Sequence, residues 1–515
     1  MGVKLFAAID VGSFEVSMKI VEFSGKNKSR VLEHLRQRIS LGQDTYNKGK
    51  ISNERMEELC RTLKEFSNIM KSYKVEDYRA YGTSAIRETE NTSIILDQIE
   101  LRTGIKIECI NNSEQRFLDY KAIAFNGETF NSIIQEGTAI VDIGGGSIQL
   151  SLFDKETLVA TQNIKLGVLR MQSWLNRINV TTGSYESLID EMTMAQLGTF
   201  KKLYLKDQVI KNLIVVDDYL SVYLSRTMRQ KAAVPIVGLE EYEQFLNTIR
   251  NTSIPELAKM LNFSEEYAGL TFISSFLVKN VMNLMNAERI WAPGVSLSDG
   301  IAYEYAEKNK LLSCDHDFEK DIIACAKNIS KRYMGSRKRG ETLENIALTI
   351  FESIKKVHGL GEREKLYLRL AAILHDCGKY ISMVDMGETS YHIIMATEII
   401  GLSHVEREIV ANVVRFNHSP FIYYRDMKAT NTDLSKEAYL IVAKLTAILQ
   451  VANGLDRSHK EKLKEIRAKI KEDELILTVD SQVDIALEKG LFEKRAAFFQ
   501  EVFCLKPIIK QRKNL

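Results

Sequence analysis

The stretch that most constrains this chain is Ala139–Phe153, AIVDIGGGSIQLSLF. An apolar run ends on an aspartate, three glycines and a serine follow, and an alternating segment resumes. Period-two hydrophobicity on both sides of a glycine cluster reads as strand, tight turn, strand. Glycine lets a backbone take positive φ and approach a ligand closely. Successive N–H groups in such a turn form a concavity suited to phosphate oxygens. Gly144, Gly145, Gly146 and Ser147 are therefore read as a phosphate cradle. Asp142, at the strand end, would repel a phosphate and makes chemical sense only beside a divalent cation or an activated water.

The amino-terminal stretch Phe6–Phe23, FAAIDVGSFEVSMKIVEF, repeats the grammar with Asp10, Gly12 and Ser13. Two such turns in one chain point to duplicated α/β halves that share a phosphate cleft. Two unrelated hairpins are the plainer alternative.

With 515 residues the chain exceeds what one hydrophobic core supports, so several domains are expected. A net charge of +2 gives no global reason to expect nucleic acid or an anionic membrane as partner. The six cysteines form no CxxC pair, which fits free thiols in a reducing compartment. The first residues run directly into a strand, and no uninterrupted apolar stretch reaches the roughly 20 residues of a membrane helix. The expectation is a cytoplasmic protein.

Asn53–Tyr73 carries apolar residues at spacings of three and four and predicts a helix. YRAYGTSA predicts a strand, after which Arg87 either grips a phosphate or pairs with Glu88 or Glu90. NNSEQRFLDYKAIAF, from Asn111, predicts a helix with Ser113 as its cap. Glu114, in its first turn, is either a helix-dipole partner or a general base for water.

Taken in order, AAIDVGS, YGTSAIRE, INNSEQRFL, VDIGGGS and KLGVLRM resemble the exopolyphosphatase and guanosine-pentaphosphate phosphohydrolase family, over roughly the first 300 residues. The resemblance implies an actin- and Hsp70-like (ribonuclease H-like) duplicated α/β fold and a Mg²⁺-dependent phosphohydrolase. Its substrate would be inorganic polyphosphate or guanosine pentaphosphate. It further implies Glu114 as the water-activating base, Asp10 and Asp142 at the Mg²⁺, and Arg87 near the phosphate chain. Homodimers are expected from the same resemblance. Three positions depart from the family pattern. Phe14 and Glu15 stand where asparagine and serine are usual, Gln149 where glutamate is usual, and Asp217–Asp218 where a third glycine loop is expected. An aspartate pair in a surface turn is the simple reading of the last.

KLYLRLAAILHDCGKY and the segments ending in Asp456 resemble the helical HD superfamily of metal-dependent phosphohydrolases. His375, Asp376 and Asp456 would form a second metal site, but Arg339 stands where an upstream histidine is expected. A packing role for His375 and Asp376 is the alternative. The basic cluster Lys331, Arg332, Arg337, Lys338 and Arg339 is either a solvated face or the lining of a polyphosphate channel. The expected division is phosphatase subdomains at residues 1–125 and 126–308, an all-α HD-type domain at 309–460, and a small α+β segment at 461–515. A protein that binds the phosphate ligand but hydrolyses it poorly is the second functional reading, favoured by Phe14, Gln149 and the aspartate pair.

Overall fold

A computed structural model describes residues 3–25, 27–178, 185–217, 219–220, 224, 236–262, 264–428, 434–458, 460, 462, 466–480 and 484–512. The chain divides into two compact units, Met1–Phe318 and Glu319–Leu515.

The first unit is built on two sheets. Strands β1 (Lys4–Val11), β2 (Glu15–Phe23), β3 (Ser29–Arg38), β4 (Asp77–Gly82) and β5 (Glu108–Cys109) lie in the order β3-β2-β1-β4-β5. Strands β6 (Thr138–Ile143), β7 (Ile148–Asp154), β8 (Thr157–Ile164), β9 (Asn212–Asp217), β10 (Ile236–Gly238) and β11 (Arg289–Trp291) lie in the order β10-β11-β9-β6-β7-β8. The second order repeats the first, with β6, β7, β8, β9 and β11 in the places of β1 to β5. In each sheet a hairpin runs antiparallel and the next strand returns parallel after a helical crossover. Two α/β halves with one topology are what the paired turns implied.

Strand alternation fixes where the aspartates point. Ala7, Ile9 and Val11 pack into one core with the helix Asn53–Tyr73, which has the predicted bounds. Phe6 and Ala8 face the other side, against Leu118 and Ile301, and Asp10 is in phase with them. Likewise Ala139, Val141 and Ile143 enter the second core, which turns Asp142 to the opposite face with its ladder partner Gln149. The helix Leu297–Lys308 follows the second sheet in sequence but packs on the first through Leu297, Ile301 and Ala302. Lys19 binds both carboxylate oxygens of Asp299 at 2.6 Å and fastens that helix to β2.

The second unit is mainly helical and ends in a three-stranded sheet, β12 (Ile466–Lys471), β13 (Glu474–Asp480) and β14 (Lys506–Arg512), ordered β12-β13-β14. The expected tail of two strands and a helix gains β14, which pairs parallel with β13 after the helix Ala486–Phe503. That helix packs on the helix Lys436–Leu455, so sheet and helices belong to one compact unit. Among the described residues, two helices, Glu265–Met285 and Lys436–Leu455, are long and apolar enough to cross a membrane, and both are largely buried inside the protein.

Candidate active site

The two glycine turns close in the same way. Gly12 N–H donates to Glu15 O and Gly144 N–H to Ser147 O, each at 3.0 Å. Ladder pairs Asp10–Ser17 and Asp142–Gln149 sit at matching places above them. Both turns line one cleft, with Asp10, Gly12, Ser13, Asp142, Gly144, Gly145, Ser147 and Gln149 on its walls. Thr83, Ser84, Gln115, Asp119, Asp217 and Ser296 complete its polar surface. The shared groove expected from the duplicated grammar is present.

The reason for glycine differs from the expected one. None of Gly12, Gly144, Gly145 and Gly146 has the left-handed φ that was expected of them. At Gly12, Gly145 and Gly146 close packing excludes a side chain, whereas a Cβ on Gly144 would make only ordinary contact, 3.5 Å from Ser147 O. A Cβ on Gly145 would lie 2.8 Å from Ser13 Cβ of the opposite turn, and one on Gly146 would lie 2.5 Å from Tyr46 Oη. Gly167 presses against the second turn from behind, where its Cβ would sit 2.3 Å from Gly145 O and Ser147 N. The turn carbonyls also cap the helix Val168–Ile178, accepting from Val168 and Leu169 N–H at 3.1 and 3.0 Å.

Ser13, Tyr46 and Ser84 form a triangle of hydroxyls with edges of 2.9, 3.0 and 2.6 Å. Arg170 lies over the Tyr46 ring at 4.5 Å and donates to Gly146 O and Glu88. Burial raises the Tyr46 pKa, so its hydroxyl stays a hydrogen-bonding group at neutral pH. No sequence signal singled out Tyr46, because it comes from a separate helix, Leu41–Lys48.

The geometry gives several of the expected residues partners that the sequence does not show. Asn111, not Ser113, caps the helix Asn112–Ala124, in a reciprocal box with Glu114. Glu114 Oε2 accepts from Asn111 N–H at 3.0 Å, beside the cleft residue Gln115 but not on the cleft wall. Arg87 also lies off that wall. Its guanidinium holds Ile110 O and Asn112 Oδ1, each at 2.5 Å, and so braces the loop that carries Glu114. Phe14, the first departure, turns from the cleft into the core of the second half between Tyr219 and Tyr267. Asp217 is not in a surface turn. It lines the cleft with Oδ2 held by Leu220 N–H and Ser274 Oγ at 2.8 and 2.5 Å. Asp218 lies outside the described residues.

Among the described residues, no group of three or more His, Cys, Asp or Glu side chains is arranged to hold a metal ion. For Asp10 and Asp142 the donor chemistry still suits Mg²⁺, which commonly takes one or two carboxylates and completes its shell with water and substrate phosphates. His375, Asp376 and Asp456, expected at a second metal site, are not arranged as a metal-holding group, although His375 Nε2 lies 3.7 Å from Asp376 Oδ2. Arg339 is buried there, with Nε 3.6 Å from Asp456 Oδ2 and Nη2 2.7 Å from Asn453 Oδ1. A guanidinium beside the carboxylate neutralises it and fills space that a cation would need. Asp376 instead accepts from Ser336 N–H at 3.3 Å, and His418 Nε2 donates to His375 O at 2.7 Å. The HD-type reading thus remains a resemblance of sequence. Of the basic cluster, Lys331 and Arg337 line a cavity of about 460 Å³ in this unit with Lys327.

Comparison with known proteins agrees with the fold. The Vibrio vulnificus guanosine-5′-triphosphate,3′-diphosphate pyrophosphatase is 22% identical over 495 residues, covering 93% of this chain and 92% of its own. An exopolyphosphatase structure from Cytophaga hutchinsonii covers 60% of this chain and 100% of its own, at 20% identity and TM-score 0.50. The Aquifex aeolicus Ppx/GppA family member covers 61% and 100%, at 17% identity and TM-score 0.50. These structures share the fold. The sequence model of the Ppx/GppA phosphatase family matches residues 20–309, and that of Ppx/GppA phosphatase domain III matches residues 323–494. The chain belongs to the Ppx/GppA phosphatase family, a family of hydrolases.

Proposed function

We propose that this protein removes the terminal phosphate from a phosphoric anhydride chain, either inorganic polyphosphate or guanosine pentaphosphate, with Mg²⁺. The observation that carries this reading is the convergence of two Asp-Gly turns, from duplicated halves, on one cleft. Phosphoryl transfer needs positioning and charge neutralisation more than covalent chemistry. Ser13, Ser84 and Ser147 supply hydroxyl donors to the phosphate oxygens, and the first two are held in place by Tyr46. Asp10 and Asp142 would hold the cation, which offsets the charge that builds on the phosphoryl oxygens.

Glu114 is the general base in this reading. A carboxylate offers about four acceptor sites, so the capping bond from Asn111 fixes its orientation without using its whole capacity. Arg87 acts through the loop: by gripping Ile110 O and Asn112 Oδ1 it sets the position of Glu114. The same capping bond favours a second reading, a ligand-binding protein with weak hydrolysis, because it holds Glu114 at the helix end.

Phosphate release from polyphosphate and from guanosine pentaphosphate, with Mg²⁺ and with EDTA, separates these readings. The enzyme reading expects release that falls at least roughly a hundredfold in Glu114→Gln and in Asp142→Asn. Tight binding of either ligand without release supports the second reading. Neither binding nor release would sink both. The cytoplasmic location and the homodimer are part of the proposal, checked by fractionation and by light scattering.

A further inference from the structure

Gln149 is 3% exposed and lines the cleft directly opposite Asp142 in the β6–β7 ladder. From the other side, the buried Arg116 donates through Nε to Gln149 Oε1 at 3.0 Å, and its Nη1 donates to Thr161 Oγ1. Arginine has donors only, so the amide atom it meets must be the carbonyl oxygen. This settles which way the amide is turned. Nε2 is left on the side away from Arg116, and among the described residues it makes no hydrogen bond to a protein acceptor.

We propose that Gln149 Nε2 binds a non-bridging oxygen of the substrate's terminal phosphate, and that Arg116 is the positioning residue that aims it there. The assignment rests on the phosphate-cleft reading above and adds a direct ligand contact to it. A carboxylate at this position would present only acceptors to the anion. The amide presents two N–H donors and no charge, so the phosphate is met by hydrogen bonds where a glutamate would repel it. Arg116 reaches Gln149 because it lies one turn inside the helix Asn112–Ala124, which packs against β6, and its guanidinium spans Gln149 and Thr161. Its role is therefore exerted through the amide.

The test is orthophosphate binding by calorimetry in magnesium buffer, beside steady-state kinetics on the preferred anhydride, with thermal melting to confirm folding. Gln149→Met keeps the length of the side chain and removes the donor. It should weaken orthophosphate binding roughly tenfold to a hundredfold, with the loss appearing in KM as well as in phosphate affinity. Arg116→Met should give a smaller loss, and Arg116→Lys should recover part of it, because a lysine can still donate to Oε1. The double variant Arg116→Met/Gln149→Met should bind no worse than Gln149→Met alone, since Arg116 has nothing left to aim. Native affinity in Gln149→Met would overturn the amide contact. Additive losses in the double variant would overturn the positioning role. If Arg116→Met fails to fold, the Gln149→Met result alone decides the contact. Failure of the unaltered protein to bind orthophosphate would overturn the cleft reading as well, and that outcome is distinct from the other two.

Discussion

Gly167→Ala is the sharpest test of how the second turn is held. A Cβ at this position would meet Gly145 O, Gly146 C and Ser147 N, all at 2.3 Å, whereas ordinary contact begins near 3.4 Å. All three are backbone atoms, so no side chain can swing aside, and the turn must retreat by roughly 1 Å. Overpacking of this kind costs about 1–3 kcal/mol, and backbone neighbours place it towards the upper end. The retreat also strains the bonds from Val168 and Leu169 N–H to the turn carbonyls. A 1 Å displacement of a positioned group costs on the order of 100-fold in rate. The expected result is therefore a melting temperature lower by a few degrees and kcat/KM lower by about 100-fold in the folded protein. Gly137→Ala is the control. Its Cβ would collide with Val209 O at 1.8 Å, at the far end of β6 from the turn. It should lose comparable stability and keep its activity per folded molecule. Native kcat/KM in Gly167→Ala, or equal activity loss in Gly137→Ala, would refute the argument.

Lys19→Met should destabilise the first unit by roughly 3–5 kcal/mol in urea titrations, because it leaves the largely buried Asp299 without the ammonium that both its oxygens bind. Burial lowers the His418 pKa to about 3, below its ordinary 6.5, while its bond to His375 O works the other way. The unfolded chain then binds the extra proton, so stability is whole above pH 6.5 and falls by up to about 1.4 kcal/mol per pH unit between 6.5 and 3. His418→Gln should flatten that slope in denaturant melts of the second unit. Arg339→Met should cost the second unit roughly 3–5 kcal/mol by leaving Asp456 without the guanidinium, and EDTA should leave that unit's melting unchanged.

What the sequence made legible was set by local periodicity. Asn53–Tyr73 was readable because Leu59, Leu63, Phe66 and Met70 share one helical face and all four are buried. The aspartates were readable because each ends a strand before a glycine turn, which is a short-range pattern. The cap of the following helix was misread even though its signal was present: Asn111 and Glu114 have capping-box spacing, which Ser113 lacks. Phe14 stands out as a departure, yet its partners Tyr219 and Tyr267 lie more than 200 residues away, so its packing role is not readable locally. Tyr46 and Arg116 were missed for the same reason. Each acts across elements that only tertiary folding brings together: Tyr46 lies outside the quoted motifs, and Arg116 lies within INNSEQRFL, which does not tell which strand it reaches. Arg339 is unexpected in the sequence pattern, but its burial against Asp456 arises only from the packing of helices distant in the chain.

The fastening of the two halves explains why the departures in the turns can coexist with the proposed phosphate cleft. Duplicated lobes could hinge apart, but here the turn end is tied. Phe14 of the first turn is part of the second core. Ser13 backs onto Gly145, and Arg170 spans Tyr46, Glu88 and Gly146. Arg38 lies over Tyr267 at 4.8 Å, and Ser40 and Gln43 donate to Glu266. Opening the cleft at this end would expose Phe14 and break these contacts together, at a cost of several kcal/mol. This end of the cleft is therefore preset. A preset array of hydroxyls and turn backbone needs no reorganisation when charge builds on the phosphoryl oxygens, which is the condition under which such donors are most effective. Phe14 serves this arrangement better than a polar residue would, because an asparagine there could not anchor the turn in the apolar core.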